Sequence, residues 1–282
     1  MGLNFIKRLR QIREQVDLLI RKRDEDKALY VAQFLEENLY NNPKYKNSNR
    51  LNKHEYQAFS QYGEDGIIEE IFNRIGTTNK YFIEFGVENG LECNSLNLLY
   101  KGWQGLWIEG SEMYCGEIKE RFADMIGKKQ LTIKNQFITA ENIESIFKSA
   151  DSPAEPDMLS IDIDYNDYYV WEAIKNYKPR VVVLEYNAVY RPGTDFVVPY
   201  NPTRVWDGTS YFGASLTAFE RLGGVKGYSL VGCSYAGTNA FFVRNDLIND
   251  KFEAPFTAEN HYEPVRYFLY HKNGHRRGHR PN

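Results

Sequence analysis

The feature that most constrains the fold is a regular alternation of short apolar runs with amphipathic helical segments. The apolar runs predict five strands, at residues 80–85, 105–108, 131–133, 157–163 and 180–184. The helical patterns lie beside them, at residues 63–75, 94–100, 112–125, 141–147 and 167–177. Alternation of this kind builds a mostly parallel sheet with helices on both faces. The unbroken run Val181-Val182-Val183-Leu184 is typical of a central strand that is covered on both sides.

The sequence after residue 184 completes the sheet. A further helix is predicted at residues 213–222, and residues 228–233 and 238–243 read as two closing strands that pair as a hairpin. The predicted fold is therefore α/β and Rossmann-like, with a mostly parallel seven-stranded sheet.

An N-terminal helical extension precedes this sheet, over residues 1–40. Its apolar residues recur at spacings of four and three, as Phe5, Leu9, Ile12, Val16 and Leu19. This is a heptad seam of less than three heptads. Either the seam docks on its own domain or it pairs with a second subunit in a homo-oligomer. Attachment to a membrane surface is the least favoured alternative.

The polar, Asn-rich segment 41–53, which contains Pro43, is a predicted linker. We therefore divide the chain into an N-terminal extension and linker (1–53), an α/β domain (54–250) and a C-terminal extension (251–282). Residues 271–280 are rich in His, Arg and Lys, and we interpret them as a solvated terminus.

Composition excludes several classes of protein. The net charge of −3 does not favour a nucleic-acid-binding protein. The three cysteines (Cys93, Cys115 and Cys233) have no zinc-site or disulfide spacing, which suits a reducing, cytoplasmic location. No apolar run reaches about 18 residues, and the first residues lack a signal-peptide pattern, so neither a transmembrane segment nor secretion is expected.

A glycine-containing turn follows the first strand, in the segment Glu84-Phe85-Gly86-Val87-Glu88-Asn89-Gly90. Glycines at such a position let the backbone approach a ligand at the carboxyl edge of the sheet. The second strand ends in Glu109-Gly110, and an acid at this distance from the turn can accept hydrogen bonds from ribose hydroxyls. The spacing is not GxGxxG, which opposes a dinucleotide site.

This turn resembles the first motif of class I S-adenosylmethionine-dependent methyltransferases, an acid-x-Gly-x-Gly-x-Gly pattern. Glu84, Gly86 and Gly90 match the motif, and Glu88 replaces its central glycine. The resemblance implies a Rossmann-like methyltransferase fold with S-adenosyl-L-methionine as the cofactor.

Three segments resemble FkbM-type methyltransferases: 59–66 (FSQYGEDG), 82–86 (FIEFG) and 159–164 (LSIDID). The resemblance covers roughly residues 58–245. It implies methylation of hydroxyl groups on sugars or natural products, as in bacterial capsule or glycan biosynthesis. It also implies that Gln61 lies near the methionine end of the cofactor and that Thr139 and Ala140 lie near the adenine.

Carboxylates follow the fourth and fifth strands, as Asp162, Asp164 and Glu185, with Asn187 two residues further on. Such oxygen ligands suit a hard divalent cation, Mg²⁺ or Mn²⁺. A similar layout occurs in catechol-type methyltransferases that bind magnesium. The hypothesis is a metal held by Asp162, Glu185 and Asn187, with Asp164 as a substitute. Without a metal, Asp162, Asp164 or Glu185 would serve as the general base. Asp167 is predicted to cap the next helix.

A long aperiodic segment with three prolines, residues 188–208, has the character of a binding loop. Its aromatic and cationic side chains, and those just after it, suit a sugar or sugar-phosphate acceptor. The candidates are Tyr190, Arg191, Arg204, Trp206 and Tyr211.

The sequence thus predicts a methyltransferase that acts on a hydroxyl, or less favourably an amine or amide, of a small polar acceptor. Two alternatives stay open. One is an NAD-type oxidoreductase, and the other is a non-catalytic cofactor-binding scaffold that assembles through the N-terminal helix.

Overall fold

The computed structural model describes residues 2–269; the basic segment 271–280 lies outside them. The chain divides into two compact units, one of residues 1–46 with 268–282 and one of residues 47–267. No helix in the described part of the chain is long and apolar enough to cross a membrane.

The first unit consists mainly of α1 (Gly2–Leu35), which continues into a π-helical turn (Glu36–Tyr40) and a short 3₁₀ turn (Pro43–Tyr45). The predicted helical extension is thus one long helix followed by two short turns. Within the unit, the rings of Tyr30 and Phe34 lie 6.1 Å and 5.1 Å from that of Phe268.

The second unit contains all seven strands. They are β1 (Tyr81–Phe85), β2 (Gln104–Glu109), β3 (Leu131–Asn135), β4 (Met158–Ile161), β5 (Val181–Glu185), β6 (Tyr228–Cys233) and β7 (Asn239–Arg244). The helices are α2 (Glu64–Ile75), α3 (Leu96–Tyr100), α4 (Glu112–Arg121), α5 (Ala123–Gly127), α6 (Ile143–Ser149), α7 (Asp167–Ala173), α8 (Leu216–Lys226) and α9 (Ala258–His261).

The strands form one sheet in the order β3-β2-β1-β4-β5-β7-β6. Pairing is parallel from β3 to β5, and β7 runs antiparallel to both β5 and β6. The predicted mostly parallel seven-stranded α/β fold is therefore confirmed, including the closing antiparallel pair. Strand order reverses between β1 and β4, and ligands of such sheets bind at this reversal, outside the carboxyl ends of the strands.

Two hydrophobic layers cover the sheet because alternate residues of each strand point to opposite faces. Ile83 and Phe85 of β1 belong to one layer, and Phe82 belongs to the other, together with Ile67 and Ile71 of α2. Glu84 points to the same face as Phe82, where it stands at the polar, carboxyl end of that layer.

Residues 47–53, predicted to be linker, are part of the second unit. Arg74 of α2 donates to the backbone carbonyls of Ser48, Asn49 and Lys251. Asn49 also donates to the carbonyl of Asp250. These hydrogen bonds join the segments that precede and follow the α/β domain in the sequence to each other and to α2.

Candidate functional site

The turn after β1 depends on glycine at two positions. Gly86 has φ +77°, and a Cβ atom there would lie 1.5 Å from the carbonyl oxygen of Asp162. Gly90 has φ +74°, and a Cβ atom there would lie 2.7 Å from the ring of Trp107. The backbone of β1 thus passes against the end of β4, which leaves no room for a side chain.

Glu88, which replaces the central glycine of the motif, also has a left-handed backbone, with φ +48°. Non-glycine residues in this region store about 1 kcal/mol of strain and concentrate at functional sites. The turn therefore keeps the backbone conformation of a glycine although its residue is Glu.

The carboxylate of Glu84 is buried beneath the turn. It accepts hydrogen bonds from the backbone N–H groups of Asn94 and Ser95, both at 2.8 Å, and from the Ser95 hydroxyl. Burial raises its pKa. Glu84 thereby holds the segment before α3 against the end of β1.

Glu109 connects the end of β2 to the same turn. One carboxylate oxygen accepts from the N–H of Glu88 at 2.9 Å, and the other accepts from the N–H of Ser111 at 2.8 Å. A carboxylate has about four acceptor positions, so these two bonds leave acceptor capacity on each oxygen. Gly110 is exposed directly after it. The two hydrogen bonds therefore fix the orientation of Glu109 at the end of β2, next to the glycine turn.

Two further cofactor candidates lie after β3. The N–H of Thr139 donates to the Asn142 side chain at 2.9 Å, and the N–H of Ala140 donates to the Tyr200 hydroxyl at 3.2 Å. The Tyr200 hydroxyl in turn donates to Glu141 at 2.6 Å. Tyr200 thus connects the long loop to the end of β3.

Gln61 lies in the segment 59–66, whose residues build the entry to α2. Asp65 accepts three backbone N–H bonds, from Ala58, Phe59 and Ser60, each at 2.8 Å. Gln61 itself is exposed. The hydrogen bonds of Asp65 therefore give this segment a structural role, which is to fix the backbone that leads into α2.

The carboxylates after β4 and β5 meet at one point. Asp162, Asp164 and Glu185 each offer an oxygen atom, and these atoms lie within 4.8 Å of one another. Ser160 pairs with Val183, so Asp162 and Glu185, each two residues further along, come level on the same face. β4 ends at Ile161, so Asp164 lies in the following loop, with φ +63°.

Burial, together with mutual repulsion, determines the electrostatics of this cluster. Burial and the neighbouring carboxylates raise the pKa of both Asp162 and Glu185 well above the ordinary range. Burial also raises the pKa of Asp167 to about 7. The charged groups that shift these three pKa values most are other carboxylates, so the site favours a proton or an external cation.

The prediction that Asp167 caps α7 was wrong by one position. Asn166 occupies the N-cap, and Asp167 is the first helical residue. The Asp167 carboxylate instead accepts from the backbone N–H of Ile163 at 2.9 Å, which closes the loop that contains Asp164.

Asn187 is buried and its amide is engaged by backbone groups. Its nitrogen donates to the carbonyls of Ser210 and Phe212, at 2.9 and 3.0 Å, and its oxygen accepts from the N–H of Val189 at 3.2 Å. In this arrangement Asn187 closes the base of the long loop, and the third oxygen at the cluster comes from Asp164.

Asn239 is a residue at this edge that sequence reasoning missed. It pairs directly with Glu185 across β5 and β7, so the two side chains share a face. Its nitrogen donates to Glu64 at 3.0 Å, while its buried Oδ1 has no hydrogen-bond partner among the described residues. An unsatisfied buried acceptor beside carboxylates is expected to bind a donor or a cation.

The acceptor candidates form two groups on the long loop. Tyr190 stacks on Phe196 with ring centroids 4.0 Å apart, and Phe196 meets the ring of Tyr211 at 5.6 Å. Separately, Arg204 pairs with Asp207 at 2.6 Å and lies over the ring of Tyr165, which follows Asp164.

The second group lies beside the carboxylate cluster because the loop is attached there. The side chain of Asn166 donates to the carbonyl of Asn201 at 2.7 Å. Trp206 is exposed and donates to the carbonyl of Thr209 at 2.7 Å. Arg191 instead lines a cavity of about 620 Å³, with Ala188, Pro192 and Tyr262 among its neighbours.

Neither a protein-family model nor a curated protein sequence matches the chain. Among solved structures, it is similar to an S-adenosylmethionine-dependent methyltransferase from Clostridium acetobutylicum, with 12% identity, a TM-score of 0.43, and coverage of 67% of this chain and 92% of that one. A putative O-methyltransferase from Klebsiella pneumoniae has 12% identity, a TM-score of 0.41, and coverage of 78% and 99%. A putative caffeoyl-CoA O-methyltransferase from Staphylococcus aureus has 15% identity, a TM-score of 0.41, and coverage of 63% and 81%. The strand order of the sheet, and not these similarities, defines the fold.

Proposed function

We propose that this chain is an S-adenosyl-L-methionine-dependent methyltransferase that acts on a hydroxyl group of a small polar acceptor. One observation carries the proposal: a glycine turn lies at the reversal of strand order, an oriented carboxylate, Glu109, ends the adjoining strand β2, and three further carboxylates meet at the same edge. The first pair suits a nucleoside, and the cluster suits an acceptor hydroxyl that must lose its proton.

The residues after β1 and β2 fit the cofactor. Gly86 leaves the backbone bare, and Glu109 keeps acceptor positions for ribose hydroxyls. Glu84 would contribute by holding the segment before α3 in place. Gln61, Gly110, Thr139 and Ala140 remain predicted contacts. When bound, the cofactor supplies a methyl group on a positively charged sulfur.

The residues after β4 and β5 fit a divalent cation, Mg²⁺ or Mn²⁺. Asp162, Asp164 and Glu185 provide the hard oxygen ligands that these ions prefer. Asn239, whose Oδ1 has no hydrogen-bond partner among the described residues, pairs with Glu185 across the sheet. When bound, such an ion lowers the pKa of a coordinated hydroxyl. Without it, the carboxylate of Asp162 or Glu185 would accept the proton, since burial and the neighbouring carboxylates raise the pKa of both groups and make them stronger bases.

The long loop supports a carbohydrate-like acceptor, as in capsule or glycan biosynthesis. Tyr190, Trp206 and Tyr211 provide aromatic faces, and Arg191 and Arg204 provide cationic groups for a phosphate or carboxylate. Attachment of Asn201 to Asn166 keeps this loop beside the carboxylate cluster.

Cofactor choice is tested by titration calorimetry with S-adenosylhomocysteine. We expect Glu109→Gln to weaken binding by about 10- to 100-fold, because hydrogen bonds to a charged acceptor contribute about 1.5–3 kcal/mol. Glu112→Gln, the same change three residues away on the exposed face of α4, should bind like the parent protein. Binding of NAD instead of S-adenosylhomocysteine would support the oxidoreductase alternative, and binding without methyl transfer to any acceptor would support the scaffold.

Metal binding is tested by thermal unfolding with and without Mg²⁺. A carboxyl with a raised folded-state pKa makes the free energy of unfolding fall as the pH rises from about 4 toward that pKa. A cation removes this repulsion but must displace protons, so its effect grows with pH. We expect saturating Mg²⁺ to raise the midpoint by about 5 °C at pH 8 and by clearly less at pH 6.

The control for this measurement is the double variant Asp162→Asn/Glu185→Gln. It should lose the Mg²⁺-dependent increase at both pH values. An increase that persists in the double variant would place the ion elsewhere, and no increase in the parent protein would favour carboxylate base catalysis without a metal.

A further inference from the structure

One face of α1 exposes a continuous apolar surface, which we call the α1 apolar face. Its members are all exposed: Phe5, Ile6, Leu9, Ile12, Val16, Leu19 and Ile20. At 3.6 residues per turn they fall within an arc of about 140°, wider than the seam of a two-stranded coiled coil. From Phe5 to Ile20 the face is about 24 Å long.

Basic side chains border this face on both sides. Arg8 lies at one edge and Arg13 at the other, where Asp17 and Arg10, which pairs with Glu14 at 3.2 Å, lie next to it. Residues 1–23 contain seven Lys and Arg but only two acidic residues, whereas the whole chain has 35 Lys and Arg against 38 Asp and Glu. Residues 1–23 therefore carry a net charge of +5, whereas the rest of the chain carries −8, an asymmetry that indicates an anionic partner for the first part of α1.

A second copy of the helix is a poor partner for this surface. With Leu9 and Val16 at a positions, Arg8 occupies a g position and Arg13 an e position. A parallel pair would place Arg8 opposite Arg13 of the second copy. An antiparallel pair would place g positions against g positions, where Arg8 and Lys22 oppose one another. Like charges meet in both orientations, which is destabilising.

We propose that α1 binds in the plane of an anionic lipid bilayer surface. The α1 apolar face enters the boundary between headgroups and acyl chains, while Arg8 and Arg13 extend to the lipid phosphates. Each basic residue near such a surface contributes to binding through its attraction to anionic lipids. The inference is independent of methyl transfer, since no residue of α1 belongs to the proposed cofactor or acceptor site.

The experiment is co-sedimentation of the full chain with lipid vesicles. One set of vesicles contains phosphatidylcholine with about one third phosphatidylglycerol, and the other contains phosphatidylcholine alone. We expect binding to the anionic vesicles at least about tenfold stronger than to the neutral ones, and weaker binding as the salt concentration rises.

Two neighbouring leucines give a matched pair of variants. Leu19 lies on the α1 apolar face, whereas Leu18 is equally an exposed leucine but lies on the opposite side of the helix. Leu19→Glu should weaken vesicle binding by at least about tenfold, because it removes a leucine side chain that enters the lipid when α1 is bound. Leu18→Glu introduces the same negative charge, and glutamate has the same helix propensity at both positions. It should weaken vesicle binding much less.

The other occupants give different results. Self-pairing would overturn the proposal. It would appear in light scattering without lipid as a mass of two chains that Leu19→Glu loses and Leu18→Glu keeps, and the protein would not bind vesicles. A monomer that does not sediment with anionic vesicles would also overturn it, because the face would then be covered by its own chain or by an acidic protein. Equal loss in both leucine variants would overturn the assignment of the face.

Discussion

Gly86→Ala is expected to lower the free energy of unfolding by about 4 kcal/mol or more, the range reserved for substitutions with a severe local cause. Two effects add at this position. A left-handed backbone costs a non-glycine residue about 1 kcal/mol. In addition, the new methyl group would overlap the carbonyl oxygen of Asp162, 1.5 Å away, so β1 and the end of β4 must separate. Urea unfolding measures the change.

The matched control is Gly227→Ala. Gly227, which ends α8, has a left-handed backbone with φ +83°, but a Cβ atom there would meet nothing within 4 Å. It should therefore lose only about 1 kcal/mol, the conformational part of the cost. Equal losses in the two variants would show that β1 and β4 do not approach as closely as described.

This close approach also explains how the site is assembled. Phe85 pairs with Ile161, which brings Gly86 level with Asp162. Asp162 is in turn level with Glu185, and Glu185 pairs with Asn239. Adjacent strands are about 4.8 Å apart, so one row across the sheet carries the glycine turn, two carboxylates and an amide. The strand register therefore places the residues proposed for the cofactor next to the residues proposed for the acceptor.

The sequence predicted the parts of the molecule that follow from local patterns. Apolar runs end where polar residues leave the sheet, so Glu84, Glu109, Asp162 and Glu185 could be placed at one edge from the sequence alone. Parallel strands have their carboxyl ends together, which is why the carboxylates of β4 and β5 were expected to meet.

The parts that the sequence did not predict depend on long-range contacts. Asn187 was expected to continue the i, i+2 pattern of Glu185. The chain instead leaves the sheet after Glu185, and the N–H of Asn187 donates to the carbonyl of Ala214. Asn239 joins the row only through antiparallel pairing of β7 with β5. Such partners depend on which strands become neighbours, and no local periodicity carries that information.

Asp162→Asn is expected to stabilise the metal-free protein while it removes activity. Without a cation, burial disfavours the charged forms of Asp162 and Glu185, and the two carboxylates also repel one another; their raised pKa values express both costs. Neutral Asn removes the repulsion, so the free energy of unfolding at pH 8 should rise by about 1 kcal/mol. Formation of S-adenosylhomocysteine with a panel of sugar acceptors should fall by about 10³-fold, since a proton acceptor or a metal ligand is lost.

The same substitution at the other end of β4 should have the opposite effect on stability. Asp157 directly precedes the strand and pairs with Arg180 at 2.8 Å, with both side chains buried. It also accepts hydrogen bonds from the backbone N–H groups of Thr78 and Lys80. Asp157→Asn leaves the Arg180 charge without its partner and should cost about 3 kcal/mol. If Asp162→Asn were destabilising as well, Asp162 would be a structural residue like Asp157, and the proposed active-site role would fail.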